Sequence, residues 1–184
     1  MEEIIKDANA RMNKSLDALR HELAKVRTGK ATTALLDGIK VDYYGTMTPL
    51  SQVGNVSVLD VHTLAITPWD KSVLSHIERA IQEANLGFNP MSDGTNLKIP
   101  VPPLTEERRR DFVKLIKRFG EETKIAIRNI RRDSNDHLKR EEKEKKISED
   151  SLKEGEARIQ KFTDEHIKTV DEILKHKEKE IMEV

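Results

Sequence analysis

The clearest chemical pattern in this chain is basic. Arg110, Lys117, Lys124 and Arg131 recur every seven residues, Lys114 and Arg128 fall between them, Arg132 follows, and Glu121 is the one acid in the row. Seven residues make nearly two helical turns, so the series lines one side of a helix. Guanidinium groups are planar forks that match phosphate oxygens, and a lysine ammonium is a point charge for the same anion. A second row, Lys6, Arg20 and Arg27, lies near the N-terminus. Taking Phe112, Phe119 and Ala126 as the core row of the same helix, the first basic row stands about 200° away and is expected to face outward. Two readings stand: a solvated face laced by i,i+4 ion pairs, or a surface that docks phosphates. The near-uniform sign, the clustering of Arg128, Arg131 and Arg132, and the second row favour phosphates. Aromatic residues make up only 4% of the chain, which disfavours stacking on single-stranded bases. Backbone and shape contacts to structured RNA fit better.

Reactive constellations are missing from the sequence. The six histidines, His21, His62, His76, His137, His166 and His176, form no recognisable metal-ligand spacing, and there is no cysteine. No Gly-rich phosphate loop or nucleophile elbow occurs. Glu106-Glu107 and Glu121-Glu122 are explained by helix capping and solvation. The expectation is a non-enzymatic protein with no catalytic residue, metal or cofactor. His166 lies on an apolar stripe and is expected in the core or at its edge. Trp69, after Pro68, is also expected in the core.

The elements that would carry the basic rows are long amphipathic helices. Ile5, Met12, Leu19 and Val26 repeat every seven, with Ala8, Leu16 and Leu23 between them, which predicts a helix over 2–28 stopped by Gly29. A second helix is predicted over 105–146, capped by Thr105, with Phe112, Ile116, Phe119, Thr123, Ala126 and Ile130 on its apolar face. A third, over 148–184, is capped by Ser148 and carries Leu152, Ile159, Phe162, His166, Val170, Ile173 and Ile181. The short break near Lys146–Ile147 favours an antiparallel return, and the three stripes suggest a three-helix bundle.

The 31–104 segment differs in kind. All six prolines, five of the eight glycines and only four of the 33 Lys+Arg lie inside it, against seven acidic residues. Its apolar period is two: Ile39, Val41 and Tyr43, then Leu64 and Ile66, then Leu97, Ile99 and Val101. One helix is predicted at 70–86, capped by Asp70 and stopped by Gly87. This describes a small inserted β/α/β domain suited to docking protein. The fold class is therefore α+β, with domains at 1–30 plus 105–184 and at 31–104. Gly29, Lys30 and Ala31 on one crossing and Pro102, Pro103, Leu104 and Thr105 on the other are expected to form a two-strand hinge, the alternative being a rigid junction.

The formal net charge is zero and no stretch approaches the roughly 18 apolar residues of a membrane span. MEEIIKDANARMNK at the start has no apolar signal core. A soluble cytoplasmic monomer that does not bind membranes is expected.

RTGKAT at 27–32, LLDGIKVDYYGTMTPL at 35–50, ANLGFNP at 84–90, IPVPPLTEERR at 99–109, IRNIRRDSND at 127–136 and ISED at 147–150 resemble, in order and from end to end, the motifs of bacterial ribosome recycling factors. The resemblance implies an L-shaped two-domain molecule with the outline of transfer RNA. It implies a factor that binds large-subunit rRNA at the ribosomal subunit interface and, with elongation factor G, splits the post-termination ribosome. It points to Arg27, Arg128, Arg131 and Arg132 as rRNA contacts. Lys30 stands where the family motif has arginine, keeping the charge without the fork. With the basic row, the expected rRNA-binding set is Arg27, Lys30, Arg110, Lys114, Lys117, Lys124, Arg128, Arg131 and Arg132. A coiled-coil scaffold is the rival reading, and a metal-dependent hydrolase a distant third.

Overall fold

The computed structural model describes residues 1–183. The chain forms two compact units, Met1–Val26 together with the chain from Arg109 onward, and Arg27–Arg108.

The first unit is a three-helix bundle of α1 (Glu2–Ala24), α4 (Glu106–Lys143) and α5 (Glu149–Met182) around one apolar core. Ile5, Ala8, Met12, Leu16, Leu19, Leu23 and Val26 are all buried, so the heptad reading of α1 holds. The helix itself ends sooner than its apolar period. Lys25 and Val26 donate back to the carbonyls of Glu22 and Leu23, a tight closing turn that ends α1 at Ala24 rather than at 28. The Met1 amino group reaches Glu141 and Arg11 reaches Asp133, both of α4, while Glu2 and Asn13 reach Arg158 and His166 of α5. Ascending positions in α1 thus meet descending positions in α4 and ascending ones in α5, so α1 runs antiparallel to α4 and parallel to α5.

The core axis of α4 differs from the predicted one. Arg109, Ile116, Gly120, Ile127, Ile130, Ser134 and Leu138 are buried, whereas Phe112, Phe119, Thr123 and Ala126 are only half-buried. The axis is turned by roughly 50° from the aromatic row toward these smaller residues. A methyl group on Gly120 would collide with Leu174 of α5, whose Cγ and Cδ2 would lie 3.1 and 3.2 Å away. The missing side chain is what lets Leu174 seat there. Arg109 is buried because its Nη1 donates to the carbonyls of Met182 (3.1 Å) and Glu183 (2.9 Å), acceptors that α5 leaves unsatisfied at its end. His166 is buried as expected; Nδ1 bonds Phe162 O at 2.6 Å and Nε2 the Asn13 amide at 2.8 Å.

Between α4 and α5 the chain turns without glycine. Lys146 N–H donates to Glu141 O and Lys145 N–H to Glu142 O, both at 2.8 Å, with Lys145 at φ +59°. This is the paired 6→1 and 5→2 closure of a Schellman turn, with lysine at its left-handed position. Ser148 accepts from Ser151 N–H and caps α5 as predicted.

The second unit is built on two antiparallel sheets. β1 (Lys40–Tyr43) and β2 (Thr46–Pro49) form a hairpin whose two turn residues, Tyr44 and Gly45, both have positive φ. The short α2 (Leu50–Val53) leads into β3 (Gly54–Asp60), and β4 (Thr63–Pro68), β5 (Met91–Ser92) and β6 (Leu97–Pro100) complete a four-stranded sheet in the order β3-β4-β6-β5. The predicted helix at 70–86 is shorter. Asp70 caps a 3-10 turn at Lys71–Val73, α3 spans Leu74–Glu83, and Asn85 then turns left-handed before Gly87 is reached. Val41, Leu64, Ile66, Ile77, Ile81, Leu97 and Ile99 share the core, which matches the period-two reading. Trp69 does not: it is 68% exposed. Its N–H donates to Val53 O as β4 ends, which holds the backbone against α2 and leaves the indole outside.

The two ends of this unit meet on one reverse turn. Ala31 N–H donates to Val61 O and Val101 N–H to His62 O, each at 2.7 Å. His62 Nδ1 lies 3.0 Å from Gly29 O. Asp60, whose carboxyl is held below the ordinary range first by the His62 N–H and then by Thr63, fixes the turn. Gly29 has φ +79°, and a Cβ there would sit 3.2 Å from Leu104 N. Both reasons exclude a larger residue.

Replacing Lys145 with glycine is expected to raise the stability of the bundle by about 1 kcal/mol, because the left-handed conformation costs an L side chain that much. Urea denaturation measures it, and an unchanged or lowered midpoint would show that Lys145 is not strained.

Candidate nucleic-acid interface

A seven-residue repeat on a helix of 3.6 residues per turn rotates by about 20° per heptad. Measured from the true core axis of α4, Arg110 stands about 100° away, Lys117 about 85°, Lys124 about 65° and Arg131 about 45°. The row therefore slides from the surface toward the seam with α5: Arg110 and Lys117 are exposed as expected, and the outward placement is corrected for Lys124 and Arg131.

The side chains follow that drift. Lys117 is exposed and its Nζ lies 3.3 Å from Glu178 of α5. Lys124 keeps only 15% of its side chain exposed, with Nζ 2.6 Å from Asp171 of α5 and 3.4 Å from Glu121. Its ammonium is raised above the ordinary lysine value of 10.5, first by the Asp171 hydrogen bond. Arg131 is half-buried and its Nη1 donates to Gln160 Oε1 of α5 at 2.8 Å. Three of the predicted rRNA-binding residues are thus rungs between α4 and α5.

Lys114, Arg128 and Arg132 stand about 105–145° from the core axis. Lys114 and Arg132 are exposed and Arg128 half-exposed. Among the described residues none of the three is in an ion pair. Arg110 is exposed at the same face. These four form the outward basic surface of α4. The charge pattern made them legible; the rungs escaped it because their partners lie on another helix.

Arg27 does not end α1. It follows the helix, donates Nη2 to Leu86 O at 2.6 Å and stands over the Phe88 ring at 5.2 Å, all within the second unit. Lys30 is half-buried between Gly29 and Ala31. Of the crossing residues, Gly29, Ala31 and Leu104 belong to the turn assembly around His62, Pro102 and Pro103 are exposed, and Thr105 accepts from Arg108 N–H at the start of α4. Among the described residues no cluster of three or more His, Asp or Glu could hold a metal ion. Among the described residues no helix is long and apolar enough to cross a membrane.

The chain thus combines a three-helix bundle, with exposed cations on α4, and a β/α unit inserted between α1 and α4. The family model for ribosome recycling factor matches residues 19–182. The chain is 55% identical over 181 residues to the ribosome-recycling factor of Thioalkalivibrio sulfidiphilus, covering 98% of each, and 53% identical over 182 residues to that of Pelodictyon phaeoclathratiforme, covering 99% and 98%. A solution structure of the ribosome recycling factor matches with a TM-score of 0.78 at 40% identity, covering 100% of this chain and 97% of that one. The T. thermophilus factor, described with the E. coli elongation factor G bound to the E. coli post-termination complex, matches with a TM-score of 0.65 at 46% identity, covering 99% and 98%. The chain belongs to the ribosome recycling factor family.

The Lys124–Asp171 rung is expected to contribute about 1 kcal/mol. Because the folded lysine value is raised, that contribution is full below 10.5 and is lost as pH rises through the folded value. The stability difference between the wild type and Lys124→Met should therefore be constant near neutrality and shrink above about pH 10.5. A pH-independent difference in urea midpoints would assign the effect to packing of the lysine stem.

Proposed function

We propose that this chain is a non-enzymatic cytoplasmic factor that, with elongation factor G, splits the post-termination ribosome and frees it from mRNA for reuse. The bundle docks on large-subunit rRNA at the subunit interface through Arg110, Lys114, Arg128 and Arg132, with Arg131 at the edge of that surface. Family membership supports the recycling role, and the T. thermophilus relative supplies the partner and the substrate complex. The observation that carries the docking surface is the division of the α4 cations: Lys117, Lys124 and Arg131 are seam rungs, while Lys114, Arg128 and Arg132 face outward without ion pairs among the described residues. Cations already matched to carboxylates gain little from phosphate, whereas unmatched ones release counterions from RNA on binding.

Movement between the two units is the second part of the proposal. Gly29, Ala31 and Val101 are held by the turn around His62, so the turning is assigned to 26–28 on one crossing and to the exposed Pro102, Pro103 and Thr105 on the other. Arg27, tied to Leu86 and Phe88, limits the first of these crossings.

Ribosome co-sedimentation across a salt series tests the docking. Lys114→Ala with Arg132→Ala should weaken binding and make the slope of log K against log salt shallower by roughly 0.7–0.9 for each phosphate no longer engaged. Lys117→Ala should leave the slope nearly unchanged. Equal effects from both variants would dissolve the distinction between seam and surface, and no saturable binding at low salt would favour the scaffold reading. For the hinge, spin labels at Ser57 and Lys168 should give a distance distribution wider than the labels' own spread, and Arg27→Ala should widen it further. A narrow distribution in both proteins would mean a rigid junction.

A further inference from the structure

The three rungs between α4 and α5 are not chemically alike. Lys117 and Lys124 face carboxylates, those of Glu178 and Asp171. Arg131 faces a neutral amide, Gln160 Oε1, at 2.8 Å. The orientation of that amide is set in turn, because Gln160 Nε2 donates to Asp164 Oδ1, one helical turn further along α5, at 2.8 Å. An amide rotated by a half-turn would present its NH₂ to the guanidinium and repel it; the Asp164 bond selects the orientation that holds Arg131.

The remaining guanidinium nitrogens divide. Nε is buried without a hydrogen-bond partner, while Nη1 is taken by Gln160. Nη2 is neither hydrogen-bonded nor buried without a partner, so it is the end of the fork left to water. The positive charge is held in place but not neutralised. Resting on the docking function proposed above, we infer that Gln160, aligned by Asp164, is a positioning residue. It fixes Arg131 with Nη2 directed outward and keeps its charge available to an RNA phosphate. A carboxylate at 160 would hold the arginine equally well and neutralise it, as at the other two rungs.

Stability and binding then move in opposite directions in one variant. Gln160→Glu, made throughout in an Asp164→Asn background so that the new carboxylate meets an amide donor instead of the Asp164 carboxylate, should leave the thermal midpoint unchanged or raised, since a hydrogen bond becomes an ion pair. It should nevertheless weaken ribosome binding about tenfold and make the salt slope shallower by roughly 0.7–0.9, the share of a single phosphate. Arg131→Ala should weaken binding as much and change the slope by the same amount. Gln160→Ala, which removes the anchor and keeps the charge, should weaken binding less and leave the slope nearly intact. If Arg131→Ala weakens binding and Gln160→Glu does not, the positioning inference fails while the docking surface stands. If Arg131→Ala itself leaves affinity and slope unchanged, Arg131 does not meet a phosphate, and the inference falls with its part of the docking reading. A Gln160→Glu protein that loses stability and binding together would assign Gln160 a packing role only.

Discussion

The drift of a seven-residue repeat on a 3.6-residue helix governs this molecule more than any single contact. α4 has 38 residues, about 57 Å of helix, and packs against α5 of 34 residues and the shorter α1 of 23. A row of cations placed every seven residues cannot remain on one face over that distance. It begins outside at Arg110 and ends inside at Arg131. The core answers the same geometry from the other side: as the packed stripe shifts, α4 offers Ile116, then Gly120, then Ile127, then Ser134 and Leu138 to its neighbours.

That geometry also explains what can be read from the sequence and what cannot. α1 is legible because its buried positions are all apolar, so period and burial coincide. In α4 they separate. Gly120, Ser134 and Arg109 are buried for reasons that hydrophobicity does not encode: a seat for Leu174, a polar place in the seam, and closure of the α5 carbonyls. The phenylalanines at 112 and 119 are large and conspicuous, yet they sit on the shoulder, and an axis drawn through them misplaces the basic row. The turn at Lys145 carries no glycine to announce it, which is why the sequence pattern runs the helix on to 146. In the second unit β2, β3 and β5 escape a reading by period because they are short or largely exposed and show no clean alternation of burial. The partners of Lys117, Lys124 and Arg131 are out of reach in principle, since each lies on a helix that comes alongside only after the chain has reversed.

The crossings illustrate the same limit on a smaller scale. Gly29 and Pro102-Pro103 look like a hinge because one is permissive and the other stiff. Gly29 is in fact required by packing, with Leu104 against the face where a side chain would be. Its carbonyl faces the His62 ring, and the neighbouring backbone is hydrogen-bonded to the 60–63 turn. Close packing therefore accounts for this glycine by itself, whether or not the crossing turns.

Zero net charge would ordinarily argue against an RNA partner. That inference from the total is weak, because charge is useful to a phosphate only where it has not been matched to a carboxylate. Lys117 and Lys124 are matched to Glu178 and Asp171 across the α4–α5 seam. Lys114 and Arg132 contribute little to folding, since removing an exposed cation that is in no ion pair among the described residues costs next to nothing. Arg131 lies between these classes. It is placed by the seam like its neighbours, but its partner is the one acceptor of the three that carries no charge. The bundle can therefore be rigid and basic at the same point, which is what a surface needs if it is to hold a phosphate without rearranging first.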